Sequence, residues 1–441
     1  MKETIIQFGE GNFLRGFADL FIHKLNEQGL YDGKVVVVQP IKTGLCDVLN
    51  EQKGVYNLYL RGLQNGEAVC GHTRVTSISR AVNPYADFEG FLALAKDPDF
   101  RFVISNTTEA GIAYDPSCAV SDRPASSFPG KLTQLLYARF QAGLPGFVML
   151  ACELIDNNGK ALQSCVLRYA QQWKLGEAFY EWVIHENQFC STLVDRIVTG
   201  YPKAEAAALC QELGWEDRLL DTAEPYHLWV IEGDHEAELP LRQAGVNVAW
   251  TNDVSPYKKR KVRVLNGAHT AMVFPALLCG LKTVGEALRD EQIGAFLNKA
   301  LFSYILPALG DTEDNRAFAY DVLERFRNPY IQHQLRSIAL NSVSKFSVRV
   351  LPTMLDCREK DGVFPRPLTL SLAALLHFYK TDAPQDDAAA ITCIKERTLP
   401  EILRDTALWG ADLTELVPEV SKGMEIIEKQ GMREAITWAL S

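Results

Sequence analysis

The chain has 441 residues, of which 47% are hydrophobic and 23% charged, and its formal net charge is −10. That length predicts two or three domains with a large buried core. The acidic balance argues against nucleic acid as the main partner, but it is compatible with a local basic pocket for a small anion.

Residues 4–8 are predicted to form a buried strand. Phe13, Leu14, Phe17, Leu20, Phe21 and Leu25 then recur at helical spacing, and Gly29 and Gly33 punctuate the end of that helix. Val35-Val36-Val37-Val38 is a fully apolar run, as a central parallel strand requires, so the first forty residues read as a β-α-β unit. Further strands are expected at 102–105, 147–150, 227–231 and 246–250, and helices at 128–140 and 162–173. This alternation predicts an α/β domain with an open, mostly parallel sheet. The character changes at Ser255-Pro256, where Ser255 can cap a helix and Pro256 suits its first turn. Beyond it the chain reads mainly as helices, apart from a strand-like run at 346–351. A domain boundary is therefore expected near 254, with an α/β domain over 1–254 and a mainly helical one over 255–441.

Ten cysteines are scattered singly from Cys46 to Cys393, with no Cys-x-x-Cys pair. Such scatter suits a reducing compartment. No secretory leader opens the chain, and its apolar runs are too short to span a bilayer. A cytoplasmic protein without membrane partners is expected.

Two stretches carry chemistry. The first is Gly9-Glu10-Gly11-Asn12-Phe13-Leu14-Arg15, between the first strand and the first helix. Glycines two apart allow a tight turn and a close backbone approach to a pyrophosphate, and the helix N-terminus offers free N–H groups to that anion. Leu14 replaces the third glycine of the usual Rossmann fingerprint. Arg15 is long enough to reach a phosphate. The second strand ends at Gln39, where an acid usually binds the adenosine ribose; with Lys42 nearby, NAD and NADP both remain open.

The second stretch runs from Lys261 to His269 and offers an amine, a carboxamide and an imidazole. On a regular helix Asn266 and His269 share a face, while Lys261 lies about 80° around and about 12 Å along the axis. A lysine among apolar neighbours can serve as a base near neutral pH, Asn266 can donate to an alkoxide, and His269 can hold the substrate oxygen. Gly267 costs helix stability, which hints that something approaches it closely. Against this, Lys258, Lys259, Arg260, Lys261 and Arg263 form a basic run, and most such runs coat a solvated face.

Together, Gly9-Glu10-Gly11-Asn12-Phe13-Leu14-Arg15-Gly16 and Lys261-x-x-x-x-Asn266-x-x-His269 resemble the polyol-specific long-chain dehydrogenases of the mannitol dehydrogenase family. Thr108-Glu109, Val194-Asp195-Arg196-Ile197, Trp229-Val230-Ile231 and Arg349 before Leu351-Pro352-Thr353 match as well. The resemblance implies a Rossmann-type domain followed by a helical one, with the active site between them. It also implies metal-free hydride transfer between NAD(P) and a secondary alcohol. It assigns the general base to Lys261 and the alcohol oxygen to Asn266 and His269, and it implies substrate contacts for Asp195 and Arg349. Gly9, Gly11, Asn12, Phe13, Arg15, Gln39, Thr108 and Glu109 are the expected cofactor-binding positions.

Details such as Val38-Gln39-Pro40 and Cys152-Glu153-Leu154-Ile155-Asp156-Asn157-Asn158-Gly159 are most similar to the members that act on sugar acids, the hexuronates. Polyol enzymes carry Cys-Asp-Asn where this chain has Cys152-Glu153-Leu154. Leu154 cannot donate, which leaves more of the task to Asn266 and His269 or brings in Asn157 or Asn158. Polyol enzymes also carry a glutamate at the position of Lys258. A hexuronate needs a cation for its carboxylate, for which Arg349, Lys345, Lys258 and Arg260 are candidates. A member acting on neutral polyols or another hexuronate is the alternative within the family. A nucleotide-binding regulator without catalysis is the alternative outside it. No compact set of metal ligands emerges from the sequence.

Overall fold

A computed structural model describes residues 1–441. The chain divides into two compact units, one of residues 1–61 and 68–255, the other of residues 62–67 and 256–441.

The strands, in chain order, are β1 (Lys2–Phe8), β2 (Gly33–Val38), β3 (Tyr56–Gln64), β4 (Glu67–Val75), β5 (Ile78–Val82), β6 (Phe102–Ser105), β7 (Val148–Ala151), β8 (Gln188–Asp195), β9 (Asp221–Ala223), β10 (Leu228–Glu232) and β11 (Val248–Thr251). Eight form one sheet in the order β11-β10-β8-β7-β6-β1-β2-β5, and β4-β3-β9 form a smaller one. Neighbours in the large sheet run parallel except β8 and β10, which are antiparallel. Both of its faces are covered. Ile5, Val35, Val37, Ile104 and Leu150 pack into one apolar cluster with Phe17, Leu20 and Phe21. Ile6, Val36, Val38, Val103 and Met149 pack into the other with Phe128, Leu132 and Leu135. Alternate residues of one strand point to opposite faces, so a strand buried on both sides must be apolar throughout. Each such side chain contributes about 1.5–3 kcal/mol by leaving water.

The strand order reverses at β1, with β2 and β5 on one side and β6, β7 and β8 on the other. Open α/β sheets bind ligands beyond the carboxyl ends of their strands at such a switch point.

Several sequence expectations change. The single helix after β1 is two, Asn12–Arg15 and Ala18–Glu27, broken at Gly16 and at Phe17 (φ −132°, ψ −91°). The β3–β4 hairpin, β5, β8 and β9 add to the expected strands. Asn65-Gly66 at the hairpin tip, with φ of 55° and 79°, is the turn signal that marks it. The strand-like run at 346–351 is helical, ending Ser342–Arg349 and starting Leu351–Asp361. Val343, Phe346 and Val350 are all buried, and their spacing of three and four is that of a helix.

The second unit is helical. The largely buried helix Arg366–Thr381 packs against Gly267–Leu278 and Val417–Gln430. Ser371 on that helix donates to the Ala271 carbonyl at 2.7 Å, so its hydroxyl is satisfied within the core. No helix of the chain is long and apolar enough to cross a membrane.

Candidate active site

The turn after β1 lies at the switch point. Gly9 has φ +118°, and a β-carbon there would stand 2.6 Å from the Asn106 carbonyl oxygen, just beyond β6. Only glycine fits both the dihedral and the space. Gly11 has no heavy atom within 4 Å of where a β-carbon would be, so its backbone faces open space. It precedes the helix Asn12–Arg15, which has no side-chain cap. The first N–H groups of a helix have no acceptor within it, so this uncapped turn fits a dinucleotide pyrophosphate.

Arg15 is placed differently from the sequence expectation. It is 2% exposed, its guanidinium donates to the Leu219 carbonyl and to Asn12 Oδ1 (2.6 Å), and it stacks over Tyr56 at 5.3 Å. It braces the turn from beneath, and these partners remove it from the phosphate candidates. Asn12 is exposed, and Phe13 is partly buried against Phe17 with ring centroids 5.0 Å apart.

Gln39 is buried at the end of β2. Its amide donates to the carbonyls of Ile41 (2.9 Å) and Lys42 (3.1 Å) and accepts from the Cys46 N–H (3.3 Å). It thereby shapes the loop where an adenosine ribose would be read. Glu10, between the two glycines, accepts from the Leu45 N–H at 3.1 Å, while its Oε2 is buried without a partner. Burial pushes its carboxyl up to about 7. Thr108 (φ 70°) and Glu109 are exposed in the loop after β6.

Beyond β7, Glu153 is buried and accepts from the Ser105 hydroxyl, the Thr107 N–H and the Thr107 hydroxyl, each at 3.0 Å. It ties the β6 and β7 loops together. Asn158 is also buried. Its Oδ1 accepts from the N–H groups of Thr192 (2.9 Å) and Gly159 (2.9 Å), and its Nδ2 donates to the carbonyls of Glu153 (2.9 Å) and Thr192 (3.0 Å). A carboxamide has two donor hydrogens and two acceptor lone pairs, so this one is saturated. Asn158 is therefore a strut between loops, which corrects its expected role as a substrate ligand. Asp195 closes β8, buried and in register with Leu228 of β10. The adjacent Arg196 donates to the carbonyls of Gly16, Glu224 and Pro225.

In the second unit the amine, carboxamide and imidazole do not lie on a regular helix. Ser255–Lys261 is α-helical, Val262–Asn266 is π-helical, and Gly267–Leu278 is α-helical again. The Gly267 N–H bonds to the Val262 carbonyl, five residues back. In an α-helix residues five apart are about 140° around from one another. An i→i+5 ladder brings residues five apart nearer to one face, so the π turn rotates Lys261 toward the side of Asn266. His269, three residues on, shares that side.

His269 is held by rings. It stacks on Phe326 with centroids 3.9 Å apart and planes at 10°, and it meets His333 edge-on at 5.2 Å. Its Nε2 is buried with no hydrogen-bond partner. Burial first, then the neighbouring His333, Arg325 and Arg349, hold it well below the usual imidazole range, so the ring is neutral. Phe326, Arg325 and His333 have no signal in the sequence, because they lie more than fifty residues from the motif and belong to no pattern of it.

Gly267 does admit a close neighbour, but that neighbour is the Arg349 carbonyl oxygen, 3.0 Å from where a β-carbon would be. Arg349 itself is partly exposed. Burial lowers its pKa, and no carboxylate acts to hold it up. The other candidate cations are more engaged. Arg260 stacks on Tyr257 (5.2 Å) and Phe318 (4.7 Å), and Lys345 Nζ donates to the Ile338 carbonyl (3.1 Å). Lys258 is partly exposed on the helix Ser255–Lys261. Arg263, on the π turn, is buried against Thr353 (2.7 Å) and Asp356 (3.1 Å), so the basic run is not one solvated face. No group of three or more His, Cys, Asp or Glu side chains is arranged to hold a metal ion.

Comparison with known proteins agrees with this division. Residues 3–242 match the mannitol dehydrogenase Rossmann domain and residues 253–440 the mannitol dehydrogenase C-terminal domain. The chain is 47% identical to the altronate oxidoreductase of Yersinia enterocolitica, covering 98% of this chain and 96% of that one. It is 46% identical to the altronate oxidoreductase of an Escherichia coli strain, with the same coverage. Among solved structures it is similar to a D-sorbitol dehydrogenase in substrate-free form (TM-score 0.88, 24% identity, 99% of this chain and 95% of that one). It is also similar to the Pseudomonas fluorescens mannitol 2-dehydrogenase in ternary complex with NAD and D-mannitol (TM-score 0.73, 22% identity, 100% and 94%).

Proposed function

The chain belongs to the mannitol dehydrogenase family, and on that premise we propose that it interconverts D-tagaturonate and D-altronate with NAD(H), a step of hexuronate breakdown. The observation that carries the reading is its end-to-end likeness to altronate oxidoreductases. The desolvated Arg349 guanidinium, without an acid of its own, supports it from the side of the substrate. Such a cation is suited to a bidentate carboxylate.

The cofactor is held by the backbone at Gly9, Gly11 and the uncapped turn at Asn12 and Phe13, with Gln39, Thr108 and Glu109 beside it. When bound, NAD supplies the hydride acceptor. Lys261 takes the alcohol proton during oxidation and returns it during reduction. Asn266 donates to the oxygen as charge develops on it. His269 is neutral, so it offers a hydrogen bond through its unpartnered Nε2 without adding charge. Asp195 contacts substrate hydroxyls. Lys258, where polyol enzymes carry glutamate, adds to the preference for an acid.

The test is a panel of D-tagaturonate, D-fructuronate and D-fructose, each with NADH and with NADPH. The expected result is highest kcat/KM for tagaturonate with NADH. A higher value for fructuronate or fructose assigns the chain to another activity of the family. Tight NADH binding without oxidation by any of the three would point to a regulator.

A further inference from the structure

His269 has a second imidazole against it. His333 lies in the connection between the helices Glu313–Phe326 and Leu335–Ile338, sixty-four residues from the motif that carries the proton chemistry. Its backbone is pinned, because the Val284 N–H donates to the His333 carbonyl at 3.0 Å and Thr283 bridges the next residue, Gln334. The ring is thus presented from a fixed point. It meets the edge of His269 at 5.2 Å and 83°, on a histidine already stacked flat on Phe326.

Beyond burial, His333, Arg325 and Arg349 each disfavour a charge on His269, and no carboxylate is among the groups that shift it. For His333 burial is the whole cause of its shift, so no acid of the chain compensates the ring. The ring is partly exposed, and no hydrogen bond from either nitrogen is found within the chain. A desolvated guanidinium and an imidazole with free nitrogens, both beside the group that holds the reacting oxygen, make a poor environment for a neutral chain of hydroxyls. They make a good one for an anion, which gains charge-assisted hydrogen bonds and relieves the uncompensated cation.

We propose that His333 is a specificity-determining residue that donates to the carboxylate end of the substrate beside Arg349, selecting a sugar acid over the neutral polyol of the same stereochemistry. This rests on the sugar-acid reading of the site above. No covalent step is involved.

The test measures affinity of the NADH-loaded enzyme for D-altronate and for D-altritol, which carries a hydroxymethyl group in place of the carboxylate. His333→Phe keeps an aromatic edge on His269 and removes both nitrogens, whereas His333→Gln keeps one N–H donor. One lost charge-assisted hydrogen bond corresponds to about a tenfold to hundredfold change in affinity. The expected result is a fall of that size in the altronate-to-altritol affinity ratio for His333→Phe, partly recovered in His333→Gln. An equal loss on both ligands would make His333 a support for His269 alone and overturn the proposal. An unchanged ratio with unchanged affinities overturns it as well. A wild-type enzyme that binds altritol as tightly as altronate defeats the sugar-acid reading itself, and that result is visible before any variant is made.

Discussion

The absent β-carbon of Gly267 leaves room for the carbonyl oxygen of Arg349, which would stand 3.0 Å from it. One glycine thus sets the spacing between the helix that carries Asn266 and His269 and the helix that ends in the free guanidinium. Alanine here gains about 1 kcal/mol of helix propensity and loses part of it to crowding. Gly267→Ala is therefore expected to unfold within a few degrees of the wild type, by about the scale of 1 kcal/mol. Its kcat/KM should fall about tenfold, since displacements well below 1 Å already disturb reacting geometry. Thermal unfolding beside steady-state kinetics checks this, and wild-type kcat/KM would mean that the neighbouring helix yields freely.

Lys261 stands where the α-helix passes into the π turn. Lys261→Ala is expected to lower kcat by about 10² to 10⁴, the usual worth of a general base. NADH affinity, read by fluorescence titration, should stay at the wild-type value, because the cradle at Gly9 and Gly11 belongs to the other unit. Near wild-type turnover would remove the central assignment.

Lys258 is proposed above to favour an acidic substrate. Lys258→Glu places there the acid that polyol enzymes carry. The expected outcome is a smaller ratio of altronate to mannitol turnover, by about tenfold if one charge at close range is removed and another opposed. An unchanged ratio would show that Lys258 serves the surface only.

Asn158 spends all of its hydrogen-bonding capacity on Thr192, Gly159 and Glu153. Asn158→Ala strands the buried N–H groups of Thr192 and Gly159 and is expected to cost about 2–4 kcal/mol in urea unfolding. The folded fraction should keep its KM for the sugar acid. A raised KM with unchanged stability would restore the amide as a substrate ligand.

Glu10 gives a pH-dependent prediction. Its carboxyl is raised from the ordinary value of 4.5 to about 7 by burial. An acid raised in the folded state weakens folding as pH climbs. The penalty is absent below about pH 4, grows between the two pKa values and is complete above about pH 7, where it is about 3 kcal/mol. Glu10→Gln, which can still accept from the Leu45 N–H, should therefore gain stability at pH 8 and gain little at pH 4. Chemical unfolding at the two pH values checks the sign. An equal effect at both would mean that Glu10 does not titrate in this range.

Local chemistry accounts for what could be read from the chain alone. The apolar run at Val35–Val38, the Gly9-Glu10-Gly11 turn and the order of strands and helices are dictated by burial on both faces and by backbone freedom, and these act over a few residues. The spacing of Lys261, Asn266 and His269 is likewise local, and it pointed to a proton-transfer site. Three matters were decided by tertiary packing. The π turn depends on which hydrogen-bond ladder the surrounding helices favour, and nothing in Val262–Asn266 announces it. The fates of Arg15 and Asn158 depend on Leu219, Tyr56 and Thr192, which the fold supplies from far along the chain. Phe326, at the end of one helix, and His333, in the connection after it, reach His269 only through tertiary packing. A motif specifies which groups are available, but long-range contacts decide which of them are already satisfied by the protein and which remain for a ligand.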